Sequence, residues 1–450
     1  MAVDMREKSH NLRGKVYIRT FGCQMNEYDT LKLLKLLEGD YEAAGTPDEA
    51  DLIVINTCSV REKPEHKVYS LLGEIGALKA KKPGLIVGVG GCVAQQEGEK
   101  LASGRNGADF VFGTHNISLV PHLVRNVKEG RGAQIAIDYR DGWEELPLGF
   151  GEGSRVSVYV AISRGCNKNC SFCIVPRTRG PEVSRDPEEI LREIRILAAR
   201  GAKEVILLGQ TVNSYGRDLK PRLSFVGLME RIAGIDGIER IRFTSPHPQE
   251  VRDDLIAFMA ECGKVCKHIH MPLQSGSDKV LKLMNRNYRV GRFLQIIDQL
   301  RDRIPDIAIS TDLIVGFPGE SKADFEMTLD VMDRVRFSSS YSFAFSPRPG
   351  TKAAEMKDVV PQEEKASRLK ILQSRQMDHT SAFLEGWIGK DVEILIDGSS
   401  ASDTNILRGR TSQNTVVNLD RPYADLREGM IVSVRIIGKA KNTLKGALVI

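Results

Sequence analysis

The chain lacks the apolar segments that direct a protein into or across a membrane. No run of eighteen apolar residues occurs in its 450 residues, so no segment is suited to cross a bilayer as a helix. Residues 1–18, MAVDMREKSHNLRGKVYI, contain no apolar stretch of the kind that a secretory signal peptide requires. The sequence therefore predicts a cytoplasmic protein with no membrane partner.

The chain also lacks a strong charge of either sign. Its 64 basic and 59 acidic residues leave a net charge of only +5, which is too small to indicate a polyanionic partner by itself. The placement of charge is more informative, because residues 405–450 carry eight basic residues against three acidic ones, an excess as large as that of the whole chain. This local excess favours nucleic-acid binding near the C-terminus. The alternative is a solvated basic face.

Length and composition predict several α/β domains. A chain of 450 residues is too long for one core, and 41% hydrophobic and 27% charged residues are ordinary for folded domains. Short β-branched runs alternate with helical stretches over residues 14–135, which is typical of a doubly wound parallel sheet. The predicted strands of this domain are KVYIRT (15–20), LIVIN (52–56), LIVGVG (85–90) and FVFG (110–113). Residues 130–155 lack a clear period and are interpreted as a connection.

Two further domains are predicted, at residues 152–375 and 380–450. Six β-then-α units predict a partial (β/α)6 barrel whose lateral opening could admit a macromolecule. The predicted barrel strands are 156–163, 204–209, 240–245, 268–272, 307–316 and 339–346. After a helix at 362–384, the runs DVEILIDG, ILRGRTSQNTVVNL and GMIVSVRIIG predict a small antiparallel β-barrel.

The cysteines favour metal binding rather than disulfides, since the chain has no export signal. Cys166, Cys170 and Cys173 have the spacing C-x3-C-x2-C, and three thiolates so close suit a 4Fe–4S cluster with one iron left open. A closed zinc site would need a fourth ligand, and no Cys or His lies between Cys173 and His247.

Three more cysteines, Cys23, Cys58 and Cys92, each follow the C-terminal end of a predicted parallel strand. Such ends share one edge of a doubly wound sheet. We therefore predict a second three-cysteine cluster, with buried, inert thiols as the alternative. Glycines beside Cys23 and Cys92 would allow close backbone approach to a cofactor. Cys262 and Cys266 are interpreted as small buried residues rather than a third cluster.

The C-x3-C-x2-C motif, in RGCNKNCSFCIVPRTRG, resembles the radical S-adenosylmethionine (SAM) superfamily. That resemblance implies that the open iron chelates SAM, which is cleaved to a 5′-deoxyadenosyl radical. Together with TFGCQMN, NTCSVREKPEHKV, GGCVAQ and DLIVGFPGE, the motif resembles the methylthiotransferase family over residues 14–450. The segment FGCQMNEYDT is closest to its MiaB type, which implies addition of a methylthio group to C2 of N(6)-dimethylallyladenosine at position 37 of tRNA. Two 4Fe–4S clusters and two SAM molecules are implied as well.

Two alternatives remain open from the sequence. Relatives within the same family act on threonylcarbamoyl-adenosine in tRNA or on a ribosomal protein. From a different class comes a non-catalytic RNA-binding protein with structural metal sites. We also expect a monomer that receives electrons from a reductant such as flavodoxin or ferredoxin.

Candidate SAM-binding residues lie at the predicted barrel mouth, where βα loops build active sites. They are Phe172, Gln210, Asn213, Ser245, Gln274 and Ser275. Helix capping, loop hydrogen bonds or, for Phe172, ordinary packing are the alternatives. His247 is a weaker candidate for a base or ligand, and Asp312 is weaker still.

The C-terminal module resembles a TRAM domain, which implies RNA binding, and the family resemblance implies the tRNA anticodon stem-loop as the partner. Candidate RNA-binding residues are Arg177, Arg179, Arg408, Arg410, Lys439 and Lys441. For Arg177 and Arg179, directly after the cysteine motif, the sequence leaves three partners open. These are an RNA phosphate, a SAM carboxylate or a nearby acidic residue.

Overall fold

The computed structural model describes residues 14–59, 62–103, 107–144, 146–149, 155–357 and 360–449. Its contacts divide the chain into two compact units. The first comprises Met1–Glu152 with Arg177–Arg179, and the second comprises Gly153–Pro176 with Gly180–Ile450. The predicted barrel and C-terminal module therefore belong to one unit.

The first unit is built on a sheet of six strands, all parallel, in the order β2-β1-β3-β4-β5-β6. The strands are β1 (Gly14–Thr20), β2 (Tyr41–Ala43), β3 (Leu52–Thr57), β4 (Ile86–Gly91), β5 (Phe110–Phe112) and β6 (Gln134–Ala136). The four predicted strands are confirmed. The prediction missed β2 and β6 because each is a three-residue edge strand without an apolar run, and β6 lies in the stretch interpreted as a connection.

Helices cover both faces of this sheet, so the doubly wound fold is confirmed. They are α1 (Gln24–Leu37), α2 (Glu62–Lys81), α3 (Cys92–Glu97), α4 (Glu99–Ala102) and α5 (Val120–Lys128). Successive residues of β3 enter different cores, since side chains alternate along a strand. Val54 packs in the core that holds Leu33 of α1 and Leu123 of α5. Ile53 packs in the core that holds Val93 of α3.

The second unit begins with the six strands predicted for a partial barrel, all of which are confirmed. Its strands up to this point are β7 (Ser157–Ala161), β8 (Ser163–Arg164), β9 (Val183–Ser184), β10 (Glu204–Leu208), β11 (Arg240–Phe243), β12 (His268–His270), β13 (Ala308–Val315) and β14 (Ser339–Ala344). Parallel strands β7, β10 and β11 form one sheet, and parallel strands β12, β13 and β14 form another. A parallel bridge joins Ile241 of β11 to Val265, which lies three residues before β12. The short antiparallel pair β8–β9 was not predicted.

The α-helices of the second unit are α6 (Val175–Thr178), α7 (Pro187–Ala199), α8 (Phe225–Ala233), α9 (Asp253–Glu261), α10 (Asp278–Leu283), α11 (Val290–Arg303), α12 (Lys322–Val335) and α13 (Gln362–Glu385). Helices α7, α8, α10 and α12 begin at a side-chain N-cap. The carboxylate of Asp186 accepts hydrogen bonds from the first backbone N–H groups of α7. Ser321 and Asp324 form a capping box at α12. Single-turn 3-10 helices occur among the described residues at Pro47–Glu49, Ile117–Leu119, Val212–Ser214, Pro248–Glu250 and Lys352–Ala354.

The C-terminal module is a closed five-stranded barrel in the order β15-β16-β17-β19-β18. Its strands are β15 (Asp391–Ser399), β16 (Leu407–Thr411), β17 (Val416–Leu419), β18 (Ile431–Lys439) and β19 (Leu444–Leu448). The predicted barrel is confirmed, with one refinement: β17 and β19 pair in parallel, and the other neighbours are antiparallel. The prediction missed β19, whose sequence LKGAL has a lysine and a glycine at its centre.

Two buried arginines connect this module to the partial barrel within the second unit. Arg242 of β11 donates to the backbone oxygens of Thr411 and Ser412 at 2.6 and 2.9 Å. It also pairs with Glu204 at 2.6 Å. Arg240 donates to the backbone oxygen of Arg410. Arg240 and Glu204 each begin a strand, so the module packs against the N-terminal ends of the barrel strands, opposite the loops that build active sites in such barrels.

Among the described residues, no helix combines the length and the apolar character that crossing a bilayer requires.

Candidate metal centres

The three cysteines of the first unit lie at one edge of its sheet, as predicted. Cys58 directly follows β3 and Cys92 directly follows β4 at the start of α3, while Cys23 precedes α1. Because β1 pairs with β3 and β3 with β4, the C-terminal ends of these strands are adjacent. The sheet topology therefore brings together three residues that are far apart in sequence.

Glycines allow the cysteine-bearing turns to approach each other closely. A Cβ atom on Gly22 would lie 2.5 Å from the Sγ of Cys58, and one on Gly91 would lie 2.3 Å from the backbone oxygen of Thr57. Both glycines have a positive φ, +105° and +89°, which other residues adopt at a cost. The close approach that the structure shows is made to the neighbouring turns, and approach of these glycines to a cofactor stays a prediction.

Asn26 ties the turn of Cys23 to the end of β3. It is fully buried, and its side-chain amide donates to the backbone oxygens of Phe21 and Thr57 at 2.9 and 2.7 Å. The amide of Asn56 in turn donates to the backbone oxygen of Asn26 at 2.9 Å. Two loops that carry cysteines are held by the same pair of asparagines.

Thr57 ties the second turn to the third. Its hydroxyl donates to the backbone oxygen of Gly90 at 2.5 Å and accepts from the backbone N–H of Val93 at 3.1 Å. Thr57 immediately precedes Cys58, and Gly90 and Val93 flank Cys92. These contacts join the three cysteine-bearing turns to one another.

A buried ion pair lies beside this triad. Arg179 donates to Asn26 Oδ1 at 2.8 Å and pairs with Asp29 at 2.9 Å. Of the three partners left open by the sequence, Arg179 therefore has the acidic residue. The hydrogen bond to Cys58 and the positive charge of Arg179 lower the pKa of Cys23 to about 6, although burial opposes this shift.

The second triad lies on one short loop of the second unit, with hydrogen bonds to two of its sulfurs. The Sγ of Cys166 is 3.4 Å from Thr211 Oγ1. The Sγ of Cys170 accepts from Arg286 Nη1 at 3.5 Å. Burial raises the pKa of Cys166. Burial and the charge of Cys170 raise that of Cys173 to about 12.

The end of helix α10 holds the loop of the second triad in place. Ser171 donates through its hydroxyl to the backbone oxygen of Leu283 at 2.8 Å and through its backbone N–H to that of Met284 at 3.0 Å. The amide of Asn285 donates to the backbone oxygen of Asn169 at 2.6 Å. The loop is anchored from outside its own sequence.

The donor chemistry of both triads fits an iron–sulfur cluster, since each offers three thiols. Across the described residues, no group of three or more His, Cys, Asp or Glu is arranged to hold a single metal ion. In a 4Fe–4S cluster each cysteine binds a different iron, so its ligands stand farther apart than those of one ion.

Two predicted SAM-binding residues, Gln210 and Asn213, lie in the loop after β10. The Oε1 of Gln210 is buried and has no hydrogen-bond partner among the residues that the structure describes. An orphaned buried acceptor calls for a partner, and a ligand with N–H or O–H groups would supply one. Asn213 instead exchanges two hydrogen bonds with the backbone of His247, at 2.9 and 3.0 Å.

Two other predicted residues, Ser245 and Gln274, have strained backbones. Their φ angles are +55° and +73°, and they follow β11 and β12 at the ends where active-site loops lie. Left-handed conformations of non-glycine residues concentrate at functional sites. Ser275, in contrast, is fully buried, and its hydroxyl accepts from Ser277 N at 3.2 Å.

The remaining candidates lie in ordinary structural surroundings. Phe172 packs edge-on against Phe317, with ring centroids 6.4 Å apart, which favours the packing alternative. Asp312 lies 3.4 Å from His270. Cys266 is buried near Glu204 at the opposite edge of the barrel, with Sγ 4.0 Å from the carboxylate.

The predicted RNA-binding residues fall into two groups. Arg408 and Arg410 both lie 3.4 Å from the carboxylate of Asp397, and Lys439 lies 3.7 Å from Glu385. Arg177 and Lys441 are exposed.

Sequence reasoning missed Asn26, Thr57 and Arg286. Thr57 stands next to a cysteine and Asn26 three residues after one, which is a weak local signal. Arg286 lies 116 positions from Cys170, and nothing in the sequence pattern links the two.

Comparison with known proteins identifies relatives along nearly the whole chain. Residues 160–332 match the Radical SAM superfamily and residues 15–113 match Uncharacterized protein family UPF0004. The chain is 46% identical to a tRNA-2-methylthio-N(6)-dimethylallyladenosine synthase of Geobacter metallireducens, over 97% of this chain and 98% of the relative. It is 41% identical to a protein of that name from Acetivibrio thermocellus, over 99% of this chain and 94% of the relative.

A solved structure supports the fold. The radical S-adenosylmethionine methyltransferase TsrM from Kitasatospora setae, with cobalamin and a 4Fe–4S cluster bound, matches with a TM-score of 0.56 at 13% identity. The match covers 76% of this chain and 74% of that chain. At this identity the likeness concerns the fold alone.

Proposed function

From the premise that this chain belongs to the tRNA-2-methylthio-N(6)-dimethylallyladenosine synthase family, we propose how its two cysteine triads divide the work. The chain is a radical SAM methylthiotransferase that acts on tRNA. A 4Fe–4S cluster and SAM are the cofactors of that superfamily. The number of clusters, the residues that hold them and the modified base are the subject of the proposal.

Cys166, Cys170 and Cys173 hold the cluster that binds SAM. A 4Fe–4S cluster held there would supply the electron for reductive cleavage of SAM. The chain orients the site, because Thr211 and Arg286 contact two of the three sulfurs. Gln210 offers a buried acceptor to SAM. The other candidate residues at the barrel mouth are proposed to shape the SAM site, and they are Phe172, Asn213, Ser245, Gln274 and Ser275.

Cys23, Cys58 and Cys92 hold a second cluster, which serves as the site of sulfur transfer. The single observation that carries this proposal is the gathering of three cysteines at the adjacent ends of β1, β3 and β4. The buried contacts of Asn26 and Thr57 support it, since they keep the three turns in place.

The proposed substrate is N(6)-dimethylallyladenosine at position 37 in the anticodon loop. Bases of a single-stranded loop can be splayed into a pocket without melting a duplex. Arg177 and Lys441 are proposed RNA contacts because they are exposed, and Arg408, Arg410 and Lys439 are secondary because each faces a carboxylate. We further propose a cytoplasmic monomer supplied with electrons by a flavodoxin or a ferredoxin.

Anaerobic reconstitution with iron and sulfide tests this proposal. We expect roughly eight irons per chain, reductive cleavage of SAM, and a methylthio group on C2 of the base when tRNA bearing N(6)-dimethylallyladenosine is added. Binding of zinc without SAM cleavage would make the protein a non-catalytic RNA binder. Thiolation of threonylcarbamoyl-adenosine or of a ribosomal protein, but not of this base, would change the substrate.

A further inference from the structure

Arg286 is a charged residue at the radical SAM triad that the sequence motif does not include. We propose that Arg286 is a positioning residue that makes the cluster held by Cys166, Cys170 and Cys173 easier to reduce. It acts through an N–H···S hydrogen bond to Cys170 and through its fixed positive charge. This inference rests on the proposed function. It concerns a residue that lies 116 positions from Cys170.

The guanidinium of Arg286 is held by several groups at once. Its Nη1 donates to Cys170 Sγ at 3.5 Å, and its Nη2 donates to the backbone oxygen of Pro272 at 2.8 Å. Its Nε donates to Tyr288 Oη at 3.1 Å. The guanidinium carbon lies 5.1 Å from the centre of the Tyr288 ring. All three nitrogens are therefore engaged, and the side chain has one defined position.

Tyr288 is itself fixed, so it can hold Arg286 firmly. Its ring is buried, and its hydroxyl donates to the backbone oxygen of Leu273 at 3.0 Å. Pro272 and Leu273 follow strand β12, which connects this support to the barrel framework. These contacts define the position of the guanidinium relative to Cys170.

The physical effect follows from charge. Reduction adds one electron, and hydrogen bonds to thiolate sulfurs together with nearby positive charge stabilise the more negative state. A low-potential one-electron donor, such as a reduced flavodoxin or dithionite, supplies this electron. It is consumed when the S–C5′ bond of SAM breaks to give methionine and the 5′-deoxyadenosyl radical. Arg286 changes how readily the electron enters and adds no bond of its own.

The test uses a parent in which only one cluster can form, with Cys23, Cys58 and Cys92 all replaced by Ala. After reconstitution, iron per chain is measured, and the reduced cluster is followed by electron paramagnetic resonance at controlled potentials. In Arg286→Gln, the ratio of reduced to oxidised cluster at a fixed potential should fall about tenfold, which corresponds to ~59 mV for one electron. Arg286→Lys keeps the positive charge but removes the planar guanidinium with its several N–H donors. Its ratio of reduced to oxidised cluster should lie between those of the parent and Arg286→Gln.

A matched control is available three residues away. Arg289→Gln removes the same charge from an exposed side chain at the start of α11, and it should leave the ratio within twofold of the parent. If Arg286→Gln holds full iron and also stays within twofold of the parent, the inference is overturned.

Two further variants decide the matter if Arg286→Gln fails to hold iron. Tyr288→Phe keeps the buried ring and the charge of Arg286 but removes the acceptor of Nε, and it should lower the ratio about twofold to threefold. Unchanged ratios in both Tyr288→Phe and Arg286→Lys would then overturn the inference. Failure of the parent itself to bind iron would count against the proposed function instead.

Discussion

The two cysteine triads reach similar donor sets by different routes. In the first unit, three cysteines from separate turns are gathered by a parallel sheet and tied by Asn26 and Thr57. In the second unit, three cysteines share one short loop, which the end of α10 holds from outside. The first arrangement depends on long-range contacts, whereas the second depends mainly on spacing.

The electrostatic surroundings differ as well. In the first triad, the hydrogen bond to Cys58 and the charge of Arg179 lower the pKa of Cys23 to about 6. In the second, burial and the charge of Cys170 raise that of Cys173 to about 12. The first triad therefore has a buried positive charge, Arg179, that lowers the pKa of one of its thiols. At the second triad, the positive charge of Arg286 contacts the sulfur of Cys170.

The largest expected effects come from cysteine substitutions, because a substitution in one triad should remove the cluster of that triad and leave the other cluster in place. Cys166→Ala should abolish reductive SAM cleavage, and Cys58→Ala should keep uncoupled cleavage while methylthio product disappears. Mass spectrometry of 5′-deoxyadenosine and of the tRNA nucleosides measures both. A normal rate of methylthiolation in Cys58→Ala would show that the first triad has no part in sulfur transfer.

A smaller effect should separate the frameworks of the two triads. Thr57→Val removes the hydroxyl that joins the second and third turns and leaves buried backbone groups unpaired, at a cost of about 1–3 kcal/mol. We expect the first triad to release iron to a chelator about fivefold faster or more, while SAM cleavage at the second triad is unchanged. Iron release is measured in a background with Cys166, Cys170 and Cys173 replaced by Ala, so that only the first triad can hold iron. SAM cleavage is measured in Thr57→Val with those three cysteines intact.

The matched control for Thr57 is Thr46→Val, which changes an exposed threonine of the same unit. It should release iron at the rate of its parent. Equal rates in Thr57→Val and Thr46→Val would mean that the hydroxyl of Thr57 does not hold the turns, and the contrast between the triads would disappear.

A change outside both triads should leave both intact. Lys441→Ala removes an exposed cation of the C-terminal barrel, and we expect tRNA affinity to fall about threefold. The slope of log affinity against log salt concentration should become about one unit shallower. Arg408→Ala should have less effect, because Arg408 faces Asp397. Point variants are preferable to deleting residues 380–450, since a deletion would remove the partners of buried Arg242.

These affinities are measured by titration with labelled anticodon stem-loop at several salt concentrations, and SAM cleavage without RNA should stay at its original rate. Equal affinity in Lys441→Ala and the unmodified protein would remove Lys441 from the RNA surface.

The smallest effect concerns His247 beside the second triad. Burial and the charges of Arg286 and Lys168 lower the pKa of His247 to about 2, so it stays neutral at all pH values used for assay. His247→Gln should therefore remove no ionisation between pH 6 and 8 from the pH profile of uncoupled SAM cleavage. Loss of a titration step near pH 6.5 would show that His247 gains a proton in that range.

The local parts of the fold and of the site followed from the sequence. The barrel strands, the four longer strands of the first sheet and the C-x3-C-x2-C loop depend on consecutive residues, so their patterns are readable. Strands β2 and β6 were missed because three-residue edge strands form through pairing with a neighbour rather than through their own apolar pattern.

The sequence by itself determined the residue types and spacings that make two three-cysteine sites possible, because covalent order limits which thiols can reach one cluster and which strands can share a sheet. Tertiary structure alone decided that Asn26 and Thr57 brace the first site, that Arg286 contacts the second, and that the C-terminal barrel packs on the strand starts. Such contacts join residues tens to more than a hundred positions apart, and they depend on how whole elements pack against each other, which no local pattern encodes.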